Sequence, residues 1–358
     1  MTPLRVVVVG AGSMGRAWLA AIAASPGVQL AGIVDLDLAA ARAARSDVPV
    51  GTDVVELAAA TGADAVINVT VPAAHHAVTT AALFAGLPVL GEKPVADTVA
   101  QALSLAAASE VTGKLFMVSQ SRRWNPQLFR LREMVSQLGA IGTVTTEFFR
   151  APRFGGFRDE MAYPLLVDMA IHPFDSVRFL LGTDPVSVFC ESYNPSWSWF
   201  EGDAAATAIF EMADGARYVY TGSWCSPGPE TSWNGSWRVS GANGTLFWDG
   251  ENEPVGPVQA TVTSDLSGIS GALRVFADAL RTGERPMGEV HENVMSLAMV
   301  EAAIESSRMG MPVRLNDVLD NARRTALRDE GRPDVRATLA AWPPVPEVVS
   351  SARARQWP

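Results

Sequence analysis

Cysteine is scarce in this chain of 358 residues: Cys190 and Cys225 are its only two. A disulfide framework and a cysteine-rich metal centre are thereby excluded as organising devices, no metal is expected, and a reducing, cytoplasmic compartment is. Long apolar runs are missing as well. No stretch approaches the roughly 18 consecutive apolar residues that a membrane helix needs, so no membrane partner is expected. The first apolar run starts by Leu4, which leaves no space for a signal peptide. There is no basic block either. With 28 Lys and Arg against 38 Asp and Glu, the net charge of −10 argues against nucleic acid as a partner. No segment repeats at a solenoid period. What the chain does have is apolar material, 48% of its residues, and a length beyond the size at which one core stops growing, so two domains are expected.

The most informative stretch runs from Val6 to Trp18. Four valines, Val6 to Val9, lead into Gly10, Gly12 and Gly15, and an apolar-periodic helix follows (Ala17, Leu19, Ala20, Ile22, Ala23). In a G-x-G-x-x-G turn the first glycine permits the tight bend, the second lets the backbone approach a pyrophosphate, and the third lets the helix pack close to the strand. Unpaired N–H groups of the first helical turn, from Ser13 and Met14 onward, then face the phosphates. Twenty residues after Gly15 the next apolar run, Val28 to Val34, ends in Asp35. A carboxylate there accepts hydrogen bonds from the adenosine ribose and repels a 2′-phosphate, which favours NAD over NADP. The bland alternative is a common glycine turn with a solvated strand end.

Strand and helix patterns alternate through about residue 120. Strands are expected at Leu4 to Val9, Val28 to Val34, Val48 to Val50, Ala65 to Val71, Leu87 to Leu90 and Lys114 to Val118. Ala-rich helices are expected at Asp53 to Thr61, Ala73 to Ala85 and Asp97 to Thr112. This alternation implies a doubly wound parallel sheet in residues 1–122. After Arg123 the character changes. A helix near Gln127 to Gln137, a strand at Thr143 to Arg150 and a helix at Leu165 to Leu181 precede extended segments with hairpin signals: Ala204 to Met212, Arg217 to Gly222, Ser236 to Ser240 and Thr245 to Trp248. Two helices, Gly271 to Arg281 and Glu289 to Met309, complete a second domain assigned to 123–330. A polar tail is expected over 331–358, poorly ordered from about Trp342.

Two further places carry chemistry. Glu92, Lys93 and Pro94 follow an expected strand, which puts a lysine at the carboxyl end of a parallel sheet, where ligands of such sheets bind. Asp168 and His172 lie four residues apart on a helix that opens after Tyr163 and Pro164, so they share one face. A carboxylate beside an imidazole holds its tautomer and raises its basicity, and a nearby ammonium stabilises a developing alkoxide. Alternatively, His172 is a helix histidine bonded to a carbonyl and Asp168 an exposed acid.

Taken together, the three glycines, Glu92-Lys93-Pro94 and Asp168 with His172 resemble the glucose–fructose oxidoreductase, inositol dehydrogenase and rhizopine-catabolism (Gfo/Idh/MocA) family of NAD(P)-dependent oxidoreductases. The likeness extends over roughly residues 4–314. It implies a Rossmann domain followed by an α/β domain with a large open, mostly antiparallel sheet, and sugars, polyols or related compounds as substrates. By the same resemblance Lys93 contacts the substrate hydroxyl and the nicotinamide ribose, before a cis Lys93–Pro94 peptide. His172 is the proton acceptor and Asp168 its partner or a second substrate ligand. Thr70, Pro72, His76 and Glu92 join the cofactor contacts. Two departures stand out: Val71 and Ala73 replace frequent threonine and asparagine, and Met161 to Leu166 replaces a glycine-rich approach to the catalytic helix.

The resulting expectation is reversible oxidation of a secondary alcohol, NAD accepting the hydride. Lyase, epimerase or glycosidase chemistry with internally recycled NAD, and a non-catalytic dinucleotide sensor, are the alternatives. Arg123, Asn125 and Tyr163 are candidate substrate ligands. Arg122, Arg153 and Arg158 offer further guanidinium groups for an anionic substrate or for plain solvation. Six tryptophans between Trp197 and Trp248 either stack on sugar faces or cover the sheet or a subunit interface. The resemblance suggests a homo-oligomer joined through the C-terminal sheet.

Overall fold

The computed structural model describes residues 2–350, which divide into two compact units. Among the described residues the first unit comprises 2–124, 266–294 and 322–348. Its strands are β1 (Leu4–Val9), β2 (Val28–Val34), β3 (Val50–Gly51), β4 (Ala65–Asn68), β5 (Val89–Glu92) and β6 (Phe116–Ser119), and they form one parallel sheet in the order β3-β2-β1-β4-β5-β6. Helices α1 (Ser13–Ala23), α2 (Leu38–Ala44), α3 (Val54–Thr61), α4 (Pro72–Phe84) and α5 (Val99–Thr112) make the crossovers. Strands β1, β4, β5 and β6 are almost wholly buried, as their apolar runs Val6–Val9, Ala65–Ile67, Val89–Leu90 and Phe116–Val118 require of strands covered on both faces. The order reverses between β1 and β4, and at that point the crevice beyond the carboxyl ends of the strands takes ligands.

Helix starts divide into two groups. Asp37, Asp53 and Thr98 cap α2, α3 and α5 through side-chain oxygens that accept from first-turn N–H groups. Helices α1 and α4 begin without a side-chain cap, at Gly12 and Val71. Both follow strands beside the reversal point, β1 and β4, so the uncapped ends are those that open toward the crevice.

Among the described residues the second unit comprises 125–265, 295–321 and 349–350. Its elements are α6 (Pro126–Ser136), β7 (Ile141–Phe149), α7 (Ile171–Leu181), β8 (Pro185–Tyr193), β9 (Ala205–Met212), β10 (Arg217–Ser223), β11 (Ser236–Gly241) and β12 (Gly244–Trp248). After these come α8 (Gly268–Thr282), in the first unit, then α9 (Val290–Met309), β13 (Val313–Arg314), α10 (Leu315–Asp329), α11 (Pro333–Ala341) and α12 (Val345–Val349). The sheet runs β12-β11-β7-β10-β9-β8-β13, antiparallel except for the parallel pair β7 and β10. Period-2 alternation assigns the faces. Tyr218, Tyr220, Phe210, Trp237 and Trp248 are buried, whereas Phe189, Ile209 and Phe247 on the opposite face are more than 40% exposed.

Three expectations from the sequence change here. Strand β8 was not anticipated, although Val188 and Cys190 alternate with exposed residues along it. The helix expected over Leu165 to Leu181 is a π-helical turn, Leu165–Ala170, followed by α7. The expected tail is also folded. Residues 322–348 belong to the first unit, Val335, Leu339 and Val345 are buried, and the Trp342 indole donates to Glu110 of α5 at 2.9 Å. The tail reads as polar because its helices are amphipathic and bury one stripe each. Residues 351–358, its last part, lie outside the described residues.

The same Glu110 binds His291, 5% exposed, whose ring nitrogens lie 2.8 Å from Glu110 Oε1 and 2.6 Å from Glu289 Oε1. Burial alone lowers the His291 pKa, but the two carboxylates outweigh it and the net direction is upward. A raised folded value means that this contact stabilises fully below the ordinary imidazole value of about 6.5 and loses its effect as pH rises through the folded value. Urea midpoints are therefore expected to fall as pH is raised above about 6.5, with His291→Gln flattening that limb. An unchanged slope in the variant would remove His291 from this role.

Candidate active site

The glycine loop has the geometry its spacing implies. Gly10 adopts φ +108°, and a Cβ there would lie 2.7 Å from the Val69 carbonyl oxygen. A Cβ on Gly15 would overlap the Gly10 carbonyl at 2.1 Å, so α1 can pack against the loop only with glycine at that position. At Gly12, by contrast, a Cβ would meet nothing within 4 Å. The loop therefore presents bare backbone to open space at the uncapped start of α1, with Ser13 and Met14 exposed beside it. Asp35 is turned to the same place: its Oδ2 accepts from Ala11 N–H at 2.7 Å and its Oδ1 from Asp37 N–H at 2.9 Å. These residues fit a dinucleotide, the glycine loop and helix start receiving its pyrophosphate and Asp35 its ribose.

The β4 end of the sheet supplies a second edge. Thr70 is fixed by Asn68, whose Oδ1 accepts from the Thr70 hydroxyl at 2.7 Å and from its N–H at 3.3 Å. Pro72 opens α4 at a position that needs no N–H. The histidine assignment changes. His76 faces α5, with its Nε2 3.4 Å from the Ser104 hydroxyl, and burial lowers its pKa. His75 is the ring that turns under the loop: its Nε2 lies 3.0 Å from the Thr70 carbonyl and its Nδ1 2.7 Å from the Pro94 carbonyl. In sequence the two adjacent histidines are equivalent; the helical phase set by Pro72 separates them.

Glu92 closes β5 with its side chain turned inward. Its Oε1 accepts from the Trp18 indole at 2.9 Å and its Oε2 from the Lys93 N–H at 3.2 Å. The Lys93–Pro94 peptide is cis, as the resemblance implies. Because β1 and β5 are parallel members of one sheet, Lys93 leaves the same edge as the glycine loop.

In the second unit Asp168 lies in the π-helical turn and His172 in the first turn of α7. The sequence signal for this turn is Pro173, which cannot donate to the Met169 carbonyl four residues back. A widened turn accommodates that loss, and such turns occur frequently at functional sites. His172 is 6% exposed, and two residues on Phe174 seats α7 on the sheet by edge contacts with Phe210 at 4.8 Å and Tyr220 at 5.4 Å. Arg178 ties the far end of α7 to Asp184 at 2.7 Å and to Ser296 of α9 at 2.9 Å. Asp168 Oδ2 accepts from Arg158 Nε at 2.7 Å, a contact the sequence did not reveal because the two belong to different local segments.

Two candidate substrate ligands also have structural partners. Arg123, 1% exposed, pairs with Glu292, whose other oxygen accepts from Gly288 N–H at 2.9 Å. Asn125 caps α6, accepting from Gln127 N–H at 2.9 Å. Tyr163 lies two residues before the π-helical turn, its carbonyl accepting from Val167 N–H at 3.0 Å. The tryptophans are mainly structural: Trp237 and Trp248 are sheet core, Trp224 stacks on Phe200, and Trp233 and Trp199 carry Arg150 and Arg153 over their rings at 4.2 and 4.0 Å. Among the described residues no group of three or more His, Cys, Asp or Glu could hold a metal ion, and no helix is long and apolar enough to cross a membrane.

Comparison with known proteins gives the family directly. A family model described as an oxidoreductase family with an NAD-binding Rossmann fold matches residues 4–120, and one described as the GFO/IDH/MocA C-terminal domain matches residues 129–247. The chain belongs to the GFO/IDH/MocA family. Among its relatives is uncharacterized protein y4oX of Sinorhizobium fredii, 30% identical over 89% of this chain and 98% of the relative. Inositol 2-dehydrogenase 1 of Saccharopolyspora erythraea is 27% identical over 87% and 96%. A crystal structure of an oxidoreductase from Agrobacterium radiobacter, in complex with NAD+, L-tartaric acid and magnesium, shares the fold with TM-score 0.79 at 21% identity, covering 89% of this chain and 100% of that one. This family member is thus an NAD-binding oxidoreductase, with a Rossmann domain followed by an α/β domain on a large, mostly antiparallel sheet.

Proposed function

We propose that this family member reversibly oxidises a secondary alcohol of a sugar, polyol or related small molecule, using NAD in preference to NADP. The observation that carries the reading is Lys93 at the carboxyl end of β5, on the sheet edge that also presents the open glycine loop and Asp35. Gly10, Gly12, Gly15, the N–H groups of Ser13 and Met14, Asp35, Thr70 and Pro72 hold the cofactor. When bound, NAD supplies the nicotinamide carbon that accepts hydride from the carbinol. His172 takes the hydroxyl proton on a ring nitrogen, and Lys93 stabilises the oxygen as negative charge develops on it. Asp168 orients His172 or binds a second hydroxyl, with Arg158 holding the carboxylate. Tyr163 contacts substrate. Sugar or polyol chemistry follows the family and the inositol dehydrogenase relative.

Residues 1–122 form the cofactor domain and the following α/β region the substrate domain, in a cytoplasmic enzyme. The outward face of the second sheet, with Phe189, Ile209 and Phe247 exposed, supports assembly into a homo-oligomer through that face.

The test is nicotinamide absorbance when the purified protein and NAD, then NADP, are offered sugars, polyols, uronates and inositols. Reduction with one stereochemical class, faster with NAD, is expected. Turnover of substrate without net NADH points instead to internal redox chemistry, and cofactor binding without any turnover to a sensor.

A further inference from the structure

A lysine side chain has four rotatable carbons, so its ammonium is placed only as well as the backbone that carries it. Around Lys93 that backbone is held from both sides by buried groups. On one side the Lys93 N–H donates to Glu92, itself fixed by Trp18. On the other, Pro94 has no N–H to anchor the turn, and the Pro94 carbonyl meets His75 Nδ1 at 2.7 Å. His75 is 2% exposed, and its own carbonyl accepts from Asn68 Nδ2 at 3.3 Å, which links the ring's root to β4.

The ring faces two carbonyl oxygens, Pro94 at Nδ1 and Thr70 at Nε2, and a neutral imidazole has one N–H to give. Burial is the largest influence and lowers the His75 pKa; the Pro94 and Thr70 carbonyls and Asp97 oppose it, and the Lys93 charge adds to it. The two oxygens therefore compete for one proton, and the shorter contact is at Pro94. We infer that His75 is a positioning residue for Lys93, its Nδ1–H holding the Pro94 carbonyl and so fixing the Pro94–Val95 peptide, one residue beyond the lysine. The inference rests on the functional reading of Lys93 given above.

Composition makes the test direct, since the chain has four histidines and only two lysines, Lys93 and Lys114. Long-range proton–nitrogen spectra of the imidazoles in the uniformly labelled wild-type protein, assigned by single substitution, report which nitrogen of His75 carries hydrogen. A proton on Nδ1 is expected; an Nε2–H tautomer overturns the inference.

The second arm compares His75→Asn with His75→Gln. An asparagine amide nitrogen falls near the position of Nδ1, a glutamine amide nitrogen near that of Nε2. With Lys114→Arg as the background and Lys93 carbon-13 dimethylated, the Lys93 methyl resonance is expected to keep its wild-type position in the Asn variant and to be displaced in the Gln variant. Equal positions in the two variants, or a displacement in the Asn variant alone, overturn the assignment. Neither arm requires a substrate. Lys93→Met retaining full turnover on a substrate found in the panel would instead sink the functional reading, so the two failures are distinct.

Discussion

Replacing His172 by alanine is expected to lower kcat by about 10² to 10⁴, the usual contribution of a positioned general acid or base, while leaving NAD affinity within a few-fold. The ring is held by a helix whose seat on the sheet does not depend on it: Phe174 packs on Phe210 and Tyr220, and Arg178 is tied to Asp184 and Ser296. Truncation at His172 should therefore remove a proton acceptor without unseating α7. Steady-state rates on the panel substrate, together with cofactor titration by NADH fluorescence, check it. Near-native turnover in the variant would take His172 out of the reaction, and a parallel loss of thermal stability would make the role one of packing.

Lys93→Met is expected to cost roughly 3 to 4 kcal/mol in the activation barrier, the scale set by removing a donor from a developing oxyanion. Methionine keeps the length and apolar stem of lysine, so packing around the cis peptide should persist. The loss belongs in kcat, because the interaction strengthens only as negative charge develops on the substrate oxygen. Collapse of NAD affinity with kcat retained at saturating cofactor would identify Lys93 as a cofactor ligand instead.

Legibility followed the range of the signal. The β1 turn was readable to the residue because its constraint is local: the Cβ overlap at Gly15 and the positive φ of Gly10 arise within six residues of each other. The cis Lys93–Pro94 peptide came from the resemblance and not from the residues alone. Strand β8 was missed although Asp184-Pro185 and Asn194-Pro195 flank it, and its pairing with β9 and β13 from both sides is not shown by a single window. The C-terminal helices were read as a tail because amphipathic helices with many charged residues resemble solvated chain until the surface they cover is known. The Arg123 partner Glu292 lies far along the chain and was not legible, whereas the Asn125 cap on α6 is a local Asn-Pro start signal.

By itself the sequence determined the dinucleotide turn, the parallel sheet of the first domain and the change to extended structure after Arg123. Each of these is encoded in periodicity, in glycine and proline placement, or in short spacings. Only the tertiary structure decided which of two adjacent histidines turns toward Pro94, that Arg158 binds the Asp168 carboxylate, and that residues 322–348 fold with the first unit. The physical reason is the same throughout: a side chain's partner across the fold is selected by burial and by the need to satisfy every buried polar group, and neither is defined until the chain has closed on itself.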